Sequence, residues 1–313
     1  MATIRALTIA LGLSVTFGLS ANALAQETYI PLISKGFQHQ FWQAVKQGAE
    51  QAGKDLKVKV SFEGPETEAM VDKQIDMLSA ALAKKPKAIG FAALDSKAAI
   101  PLLKKAQAAN IPVVAFDSGV DSDIPVTTAT TDNKAAAALA ADKMAELIGK
   151  SGEVAVVAHD QTSRTGIDRV EGFTQRMKST YPNIKVVSVQ YGGGDHLKST
   201  EITKSILQAS PNLKGMFGAN EGSAIGVLNG AKEMKRKIVV IGYDSGKLQK
   251  DAIRNGTMAG AITQNPVGIG YKTVEAAVKA LKGEKLPKII DTGFYWYDKS
   301  NISDPKIAAV LYD

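Results

Sequence analysis

From Tyr29 onward, apolar residues fall in short β-branched runs separated by longer stretches of helical spacing. The runs Tyr29–Ile33, Lys57–Phe62, Ala88–Ala92, Val113–Phe116 and Val126–Thr128 predict five strands. Glu153–Ala158, Ile184–Gln190, Gly215–Gly218, Ile238–Ile241 and Ala259–Thr263 predict five more. Val71, Ile75, Leu78 and Leu82 recur at helical spacing and predict a buried stripe, as do Val274, Val278 and Leu281. Strands alternating with helices at this spacing imply parallel sheets with crossover helices, hence the α/β class. Ten strands exceed one comfortable sheet, so the pattern predicts two doubly wound domains. A short internal symmetry agrees: Val113-Val114-Ala115-Phe116-Asp117-Ser118-Gly119 resembles Val239-Val240-Ile241-Gly242-Tyr243-Asp244-Ser245-Gly246. Both runs place an acid and a Ser-Gly turn at the carboxyl end of an apolar strand. No low-complexity linker separates the halves.

The first residues fit no such pattern. Arg5 is followed by an apolar run to Ala21 and then by Ala23-Leu24-Ala25, the n-region, h-region and small-residue site of a cleaved secretory signal over residues 1–25. The run is shorter than the roughly 20 residues that span a bilayer. Its removal takes away Arg5 alone and lowers the formal net charge from +7 to +6. The expected location is the periplasm. The remaining lysines are scattered, so no nucleic-acid partner is expected. The absence of cysteine excludes disulfides, thiolate metal centres, a thiol nucleophile and a lipid-modified N-terminal cysteine. With 45% hydrophobic and 22% charged residues, the chain has ample material for two cores.

Ligands of open α/β sheets bind beyond the carboxyl ends of the strands. Lys35, His39, Phe41 and Trp42 follow the first strand; Asp95 follows the third; Asp117 and Ser118 follow the fourth. In the second set come His159, Asp160 and Arg169, then Tyr191, Gly192–Gly194 and Asp195, then Asn220 and Glu221, Asp244, and finally Gln264 and Asn265. Asp, Asn, Arg and Gln are planar groups that make two hydrogen bonds each, and two aromatic rings accompany them. That set suits a sugar, whose hydroxyls need such groups and whose C–H faces pack on rings. An Asp or Asn after a strand also serves as a helix cap, Phe41 or Trp42 as core and Arg169 as a surface charge. No phosphate-binding glycine motif follows a strand.

These residues resemble the ribose-binding-protein branch of the periplasmic sugar-binding proteins, the solute-binding subunits of ABC importers. The resemblance covers nearly all of Glu27 to Asp313. It is carried by Phe41-Trp42-x-x-Val45-Lys46-x-Gly48-Ala49, Asn110-Ile111-Pro112-Val113-Val114-x-x-Asp117, Thr131-Asp132-Asn133, Arg169-x-x-Gly172-Phe173, Gly218-Ala219-Asn220-Glu221-x-x-Ala224-x-Gly226, Val240-Ile241-Gly242-Tyr243-Asp244 and Gln264-Asn265-Pro266. It implies two Rossmann-like domains of the type I periplasmic binding fold, joined by three crossovers, with ligand between them. The expected lobes are residues 26–130 with 264–290 and residues 131–263 with 291–313. Phe41 and Trp42 match the stacking pair; Asp117, Arg169, Asn220, Asp244 and Gln264 match the polar ligands; Asp132 matches the hinge. His39 stands where an asparagine is common, Ser118 where ribose binders carry an arginine, and Gly194 where they use an aromatic. These departures point to a different or larger sugar, a sugar acid or a polyol. Lys35 and His39 would favour an acidic group, although a lysine at position 35 is expected to stay solvated.

The implied function is capture of a monosaccharide or polyol by hinge closure and delivery to an inner-membrane permease, by a monomer with no cofactor and no metal. The alternative is a periplasmic sensor that presents its ligand to a chemoreceptor or kinase. An enzyme is not expected. His159-Asp160 with Ser163 lacks a nucleophile elbow, and His39 and His196 have no metal-ligand spacing. A repressor-like sensing domain would need DNA-binding helices where the export signal stands.

Overall fold

The computed structural model of the chain describes residues 28–312, so the export signal expected over residues 1–25 lies outside the described residues. In chain order come β1 (Tyr29–Ile33), α1 (Gln40–Leu56), β2 (Lys59–Glu63), α2 (Val71–Ala83), β3 (Ile89–Phe91), α3 (Ile100–Ala108), β4 (Val113–Phe116) and β5 (Thr127–Thr130). Next are α4 (Asn133–Leu147), β6 (Gly152–Ala158), α5 (Arg164–Thr180), β7 (Ile184–Tyr191), α6 (His196–Ala209), β8 (Leu213–Gly218), α7 (Glu221–Glu233) and β9 (Val239–Tyr243). Then follow α8 (Lys247–Arg254), β10 (Gly260–Gln264), α9 (Pro266–Leu281), β11 (Ile289–Asp291), β12 (Phe294–Tyr297) and α10 (Pro305–Ala308). None of the described helices is long and apolar enough to cross a membrane.

The ten expected strands form, and β11 and β12 are additional. The strands make two six-stranded sheets, ordered β11-β5-β4-β3-β1-β2 and β12-β10-β9-β8-β6-β7. The two orders are the same once β6 to β10 are matched to β1 to β5. The first sheet is wholly parallel, whereas β12 runs antiparallel to β10. The carboxyl ends of the two sheets face each other. One extended stretch, turning only at Thr292 and Gly293, leaves the first sheet at its carboxyl edge as β11 and enters the second at its carboxyl edge as β12. It must therefore run with the first sheet and against the second.

Each sheet is covered by helices on both faces, and four apolar clusters fill the layers. Burial of near-continuous apolar strands such as Val154–Ala158 is what drives this arrangement. The α2 stripe is narrower than its periodicity predicts. Leu78 is fully buried, but Val71, Ile75 and Leu82 are half-buried. Gln74 takes the deep position instead, because its amide ties Ser34 O, Ala92 O and Leu94 N at the ends of β1 and β3. In α9, Leu281 is exposed and Val278 half-buried. The buried residues of α9 include Ile269, Gly270, Thr273, Val274 and Ala277; Thr273 lies over Gly90 of β3, and Gly270 meets α1. A Cβ on Gly48 would lie 2.0 Å from Val267 O, and one on Gly270 would lie 1.9 Å from Val45 O. This contact holds α9 on the first sheet although it follows β10 of the second.

Three connections therefore cross between the lobes: Thr131–Asp132 after β5, Asn265 after β10, and Thr292–Gly293. Asp132 caps α4 by accepting from Ala135 N, and Asn265 caps α9 by accepting from Gly268 N.

Candidate functional site

The facing carboxyl ends enclose a small cavity. The internal symmetry is visible at its centre. Asp117 ends β4 with φ 54° and Asp244 ends β9 with φ 77°. Each donates its backbone N–H to the neighbouring strand, Asp117 to Ala129 and Asp244 to Ile262. Each carbonyl is held by a hydroxyl, from Thr130 and Tyr297 respectively. Aspartate is among the few non-glycine residues that tolerate this left-handed region. The turn swings both carboxyls into the space between the sheets.

The second lobe contributes four of the expected groups. Arg169, 3% exposed, donates to Asn133 Oδ1 (2.8 Å) and to Ala219 O (2.9 Å) and lies 3.8 Å over the Tyr243 ring. The guanidinium is thereby fixed flat at the cavity wall rather than displayed on the surface. Asn220 is both cap and cavity residue: Oδ1 accepts from Ser223 N, which leaves its amide nitrogen for the cavity. Asp244 accepts from Gln264 Nε2 (2.7 Å) and from Glu221 N (3.0 Å).

From the first lobe, Phe41 and Trp42 both line the cavity, edge to face with centroids 5.0 Å apart. His39 lines it as well, and its ring stacks on His196 at 6.1 Å. The His39 Nε2 atom lies 3.1 Å from where a Cβ on Gly194 would stand, so this imidazole fills the space beside that glycine. Lys35 contradicts the expectation of a solvated side chain. It is 2% exposed, and its ammonium crosses to the second lobe to reach Ser163 Oγ (3.3 Å), Thr165 Oγ1 (3.1 Å) and Asp160 Oδ2 (3.7 Å). A buried ammonium needs such partners to offset its desolvation. Ser118 also departs from expectation, since it is not on the cavity wall. The left-handed turn at Asp117 sends it beneath the end of β3, where its carbonyl accepts from Ala93 N.

Three further lining residues, Glu68, His159 and Thr165, were not among the expected ligands. His159 and Thr165 follow β6, and Glu68 follows β2. The strand-end rule, applied to β2 and without reading His159 as a fragment of a catalytic set, finds them.

The buried charges shape one another. Burial acts to raise the Glu68 carboxyl, but Lys35 foremost, with His39 and the Trp42 N–H (2.7 Å), holds it below its ordinary value. Burial pushes Asp117 up to about 6; Lys35 and Arg169 oppose this, and Glu68 and Asp244 add to it. Burial, with Lys35 and Arg169, pushes the His159 imidazole down to about 3 despite Asp160, so the ring is neutral. Among the described residues, Asp117 Oδ1, Gln264 Oε1, His39 Nδ1 and His159 Nδ1 are buried without a hydrogen-bond partner. Five other buried side-chain atoms of the described residues, Ser118 Oγ among them, are unpaired on residues off the cavity wall, but these four sit on residues lining one small space, where a ligand can pair them.

The lobes meet around the cavity. On one rim Ser96 N donates to Thr162 O (3.0 Å) and Arg164 pairs with Asp121 (3.5 Å). On the other, the Glu221 carboxylate accepts from Gln40 N and Phe41 N (3.4 Å each) and from the Tyr312 hydroxyl (3.3 Å). Gln38 donates to Gly194 O (3.2 Å). These contacts define a closed arrangement. Among the described residues, no group of three or more His, Cys, Asp or Glu side chains is arranged to hold a metal ion.

Similar proteins share this fold. A solute-binding protein of a carbohydrate transporter from Agrobacterium radiobacter, solved with D-arabinose, superposes with a TM-score of 0.88 at 34% identity, covering 92% of this chain and 99% of that one. An ABC-transporter solute-binding protein from Agrobacterium vitis with bound D-fucose gives 0.87 at 35% identity, over 91% of this chain and all of that one. The D-allose-binding periplasmic protein of Escherichia coli K12 is 28% identical over 285 residues, 88% of this chain and 91% of its own length. The ribose import binding protein of the same organism is 29% identical over 291 residues, 91% of this chain and 95% of its own. Residues 30–285 match the periplasmic binding protein domain, and the chain belongs to that family.

Proposed function

We propose that this chain captures a single monosaccharide or related polyol in the cavity between its lobes and presents it to the permease of an ABC importer. The observation that supports this most is the cavity itself: paired aspartates at symmetric strand ends, an aromatic pair beside them, and buried polar atoms with no partner in the protein. The named relatives bind D-arabinose, D-fucose, D-allose and ribose, all single sugars.

In the proposed cycle, sugar docks on Asp117, Phe41 and Trp42 of one lobe and the other rotates onto it, bringing Arg169, Asn220, Asp244 and Gln264. Lys35 and His39 complete the wall. Rotation takes place at the three crossovers, Asp132 among them. The two lobes are β1 to β5 with α9 and β11, and β6 to β10 with β12, so Gln264 belongs to the second lobe and Asp291 to the first, each one residue across the boundary that the sequence implied. Only the closed form satisfies all of these groups, so the ligand makes its differential contacts there. A dissociation constant on the order of 1 μM needs about −8 kcal/mol. A few hydrogen bonds to charged groups at about 1.5–3 kcal/mol each, with ring stacking, supply it after the closure cost. The protein acts without catalysis, as a monomer without nucleic acid, in the periplasm after loss of residues 1–25.

The test is a thermal-shift and calorimetric screen of the mature protein against neutral aldoses, ketoses, polyols and sugar acids. One or a few should raise the melting temperature, because a ligand that binds only the folded state stabilises it. No response across the panel would sink the carbohydrate reading. Asp244→Ala should abolish the response while circular dichroism stays unchanged; retained binding would displace the site.

A further inference from the structure

The hydrogen bonds around His159 determine which of its ring nitrogens carries the proton. Ser163 Oγ donates its one proton to Asp160 Oδ2 (2.8 Å) and accepts from Gly166 N (3.2 Å) and Lys35 Nζ (3.3 Å). Both of its lone pairs are then used. Thr165 Oγ1 accepts from Lys35 Nζ (3.1 Å), and its own proton has two neighbours to go to, Ser163 Oγ (3.2 Å) and His159 Nε2 (3.1 Å). Ser163 has no acceptor capacity left, so the proton goes to His159. That makes Nε2 an acceptor and places the imidazole proton on Nδ1. Asp160 Oδ2 stands 3.6 Å from Nε2, too far for a hydrogen bond. Asp160 is already occupied by the Ser163 hydroxyl and by the N–H groups of Ser163 and Thr162. His159 lines the cavity at 2% exposure, and its Nδ1 has no partner among the described residues.

We infer that His159 is a specificity-determining residue whose Nδ1–H donates to an oxygen of the bound sugar, with Lys35 and Thr165 as the positioning residues that fix its tautomer. This rests on the monosaccharide reading above. A buried N–H must be met by a ligand oxygen at that spot, so a sugar whose corresponding oxygen is deleted leaves the donor unpaired and is rejected. The neutrality of the ring fits this role, since a single fixed proton distinguishes an oxygen acceptor from a methylene more sharply than a rotating hydroxyl does.

Two measurements test it. Nitrogen-15 NMR of histidine-labelled protein reads the tautomer of His159 directly in the sugar-bound, closed form, where Lys35 reaches Ser163 and Thr165. The expected result is a protonated Nδ1 and an unprotonated Nε2, with Thr165→Val eroding that preference and Thr165→Ser keeping it; a protonated Nε2 overturns the inference. Calorimetry then uses the tightest binder among D-ribose, D-allose, D-arabinose, D-fucose and D-tagatose. His159→Leu should weaken it roughly tenfold or more, the loss of one buried hydrogen bond. His159→Asn, whose amide nitrogen replaces Nδ1, should keep most of the affinity and guards against misfolding of the leucine variant. Wild-type binding with unaltered affinity in His159→Leu overturns this inference alone. Where none of the five binds, the tightest binder of the broader panel above takes their place; failure of the wild type to bind any sugar of that panel overturns the monosaccharide reading and this inference with it.

Discussion

Asp117 carries a carboxylate in a place that disfavours its charge, and this has a pH signature. Its pKa is about 6 in the folded protein against an ordinary 3.8. Between those values the folded chain holds a proton that the unfolded chain has released, so stability falls as pH rises. The contribution is fully present below about pH 4 and is lost as pH rises through about 6, a difference of order 3 kcal/mol. Sugar hydroxyls that donate to the carboxylate would reverse this, so sugar affinity should rise over the same window. Asp117→Asn should therefore melt at a higher temperature than wild type near pH 7.5, and at nearly the same temperature near pH 4. It should bind sugar roughly tenfold to a hundredfold more weakly, the range for a hydrogen bond to a charged group. Parallel melting curves of the two proteins across that range would contradict the account. Asp117 and Asp244 were legible in the chain because an acid after an apolar strand recurs in both halves. The burial of Lys35 was not. A lysine after a strand carries no mark of its fate, and its partner Ser163 is 128 residues away.

At the scale of elements, glycine positions decide how closely helices can sit. Gly48 in α1 faces the backbone of Val267 in α9, and a methyl group there would overlap a carbonyl at 2.0 Å. Neither helix can yield without moving from its sheet. Gly48→Ala should thus destabilise the protein by about 1–3 kcal/mol, the usual range for overpacking. Gly119 is the control, because a Cβ there meets nothing nearer than Thr128 at 3.7 Å. Urea unfolding of both variants checks this; equal midpoints would show that the α1–α9 contact is softer than its geometry. Long buried strands were readable from their β-branched runs, but β11 and β12 were not. β11 has three residues with Ile289 exposed, and β12 is a run of aromatics without clear polar alternation. Their extended form comes from the sheet edges they join, which is tertiary information. The same holds for α9, whose buried face is set by close approach to α1 rather than by large apolar residues at helical spacing.

For the whole molecule, closure needs contacts that exist only when the lobes meet, and Glu221 collects several of them. Its carboxylate takes the backbone N–H groups of Gln40 and Phe41 at the start of α1 and the Tyr312 hydroxyl. Acidic groups are favoured at a helix N-terminus, where free N–H groups and the dipole converge. Burial pushes the Glu221 pKa up, and the α1 N–H bonds act against that rise. Since α1 and Glu221 belong to different sheets, the bonds count toward closure and not toward folding of either lobe. Glu221→Ala should leave the melting temperature of the unliganded protein within a few degrees while shifting the population toward the open form. At about 3.4 Å the two backbone bonds are long, so a total near 1.4 kcal/mol, or tenfold in the closed population, is the expected scale. Affinity falls in the same proportion, because sugar must then supply the missing closure energy. The loss should appear mainly as faster sugar release, since docking on the first lobe precedes closure. Stopped-flow dissociation with small-angle scattering on the same samples separates the cases. A larger radius with faster release supports a closure latch, and slower binding with unchanged release would place Glu221 in the docking step instead.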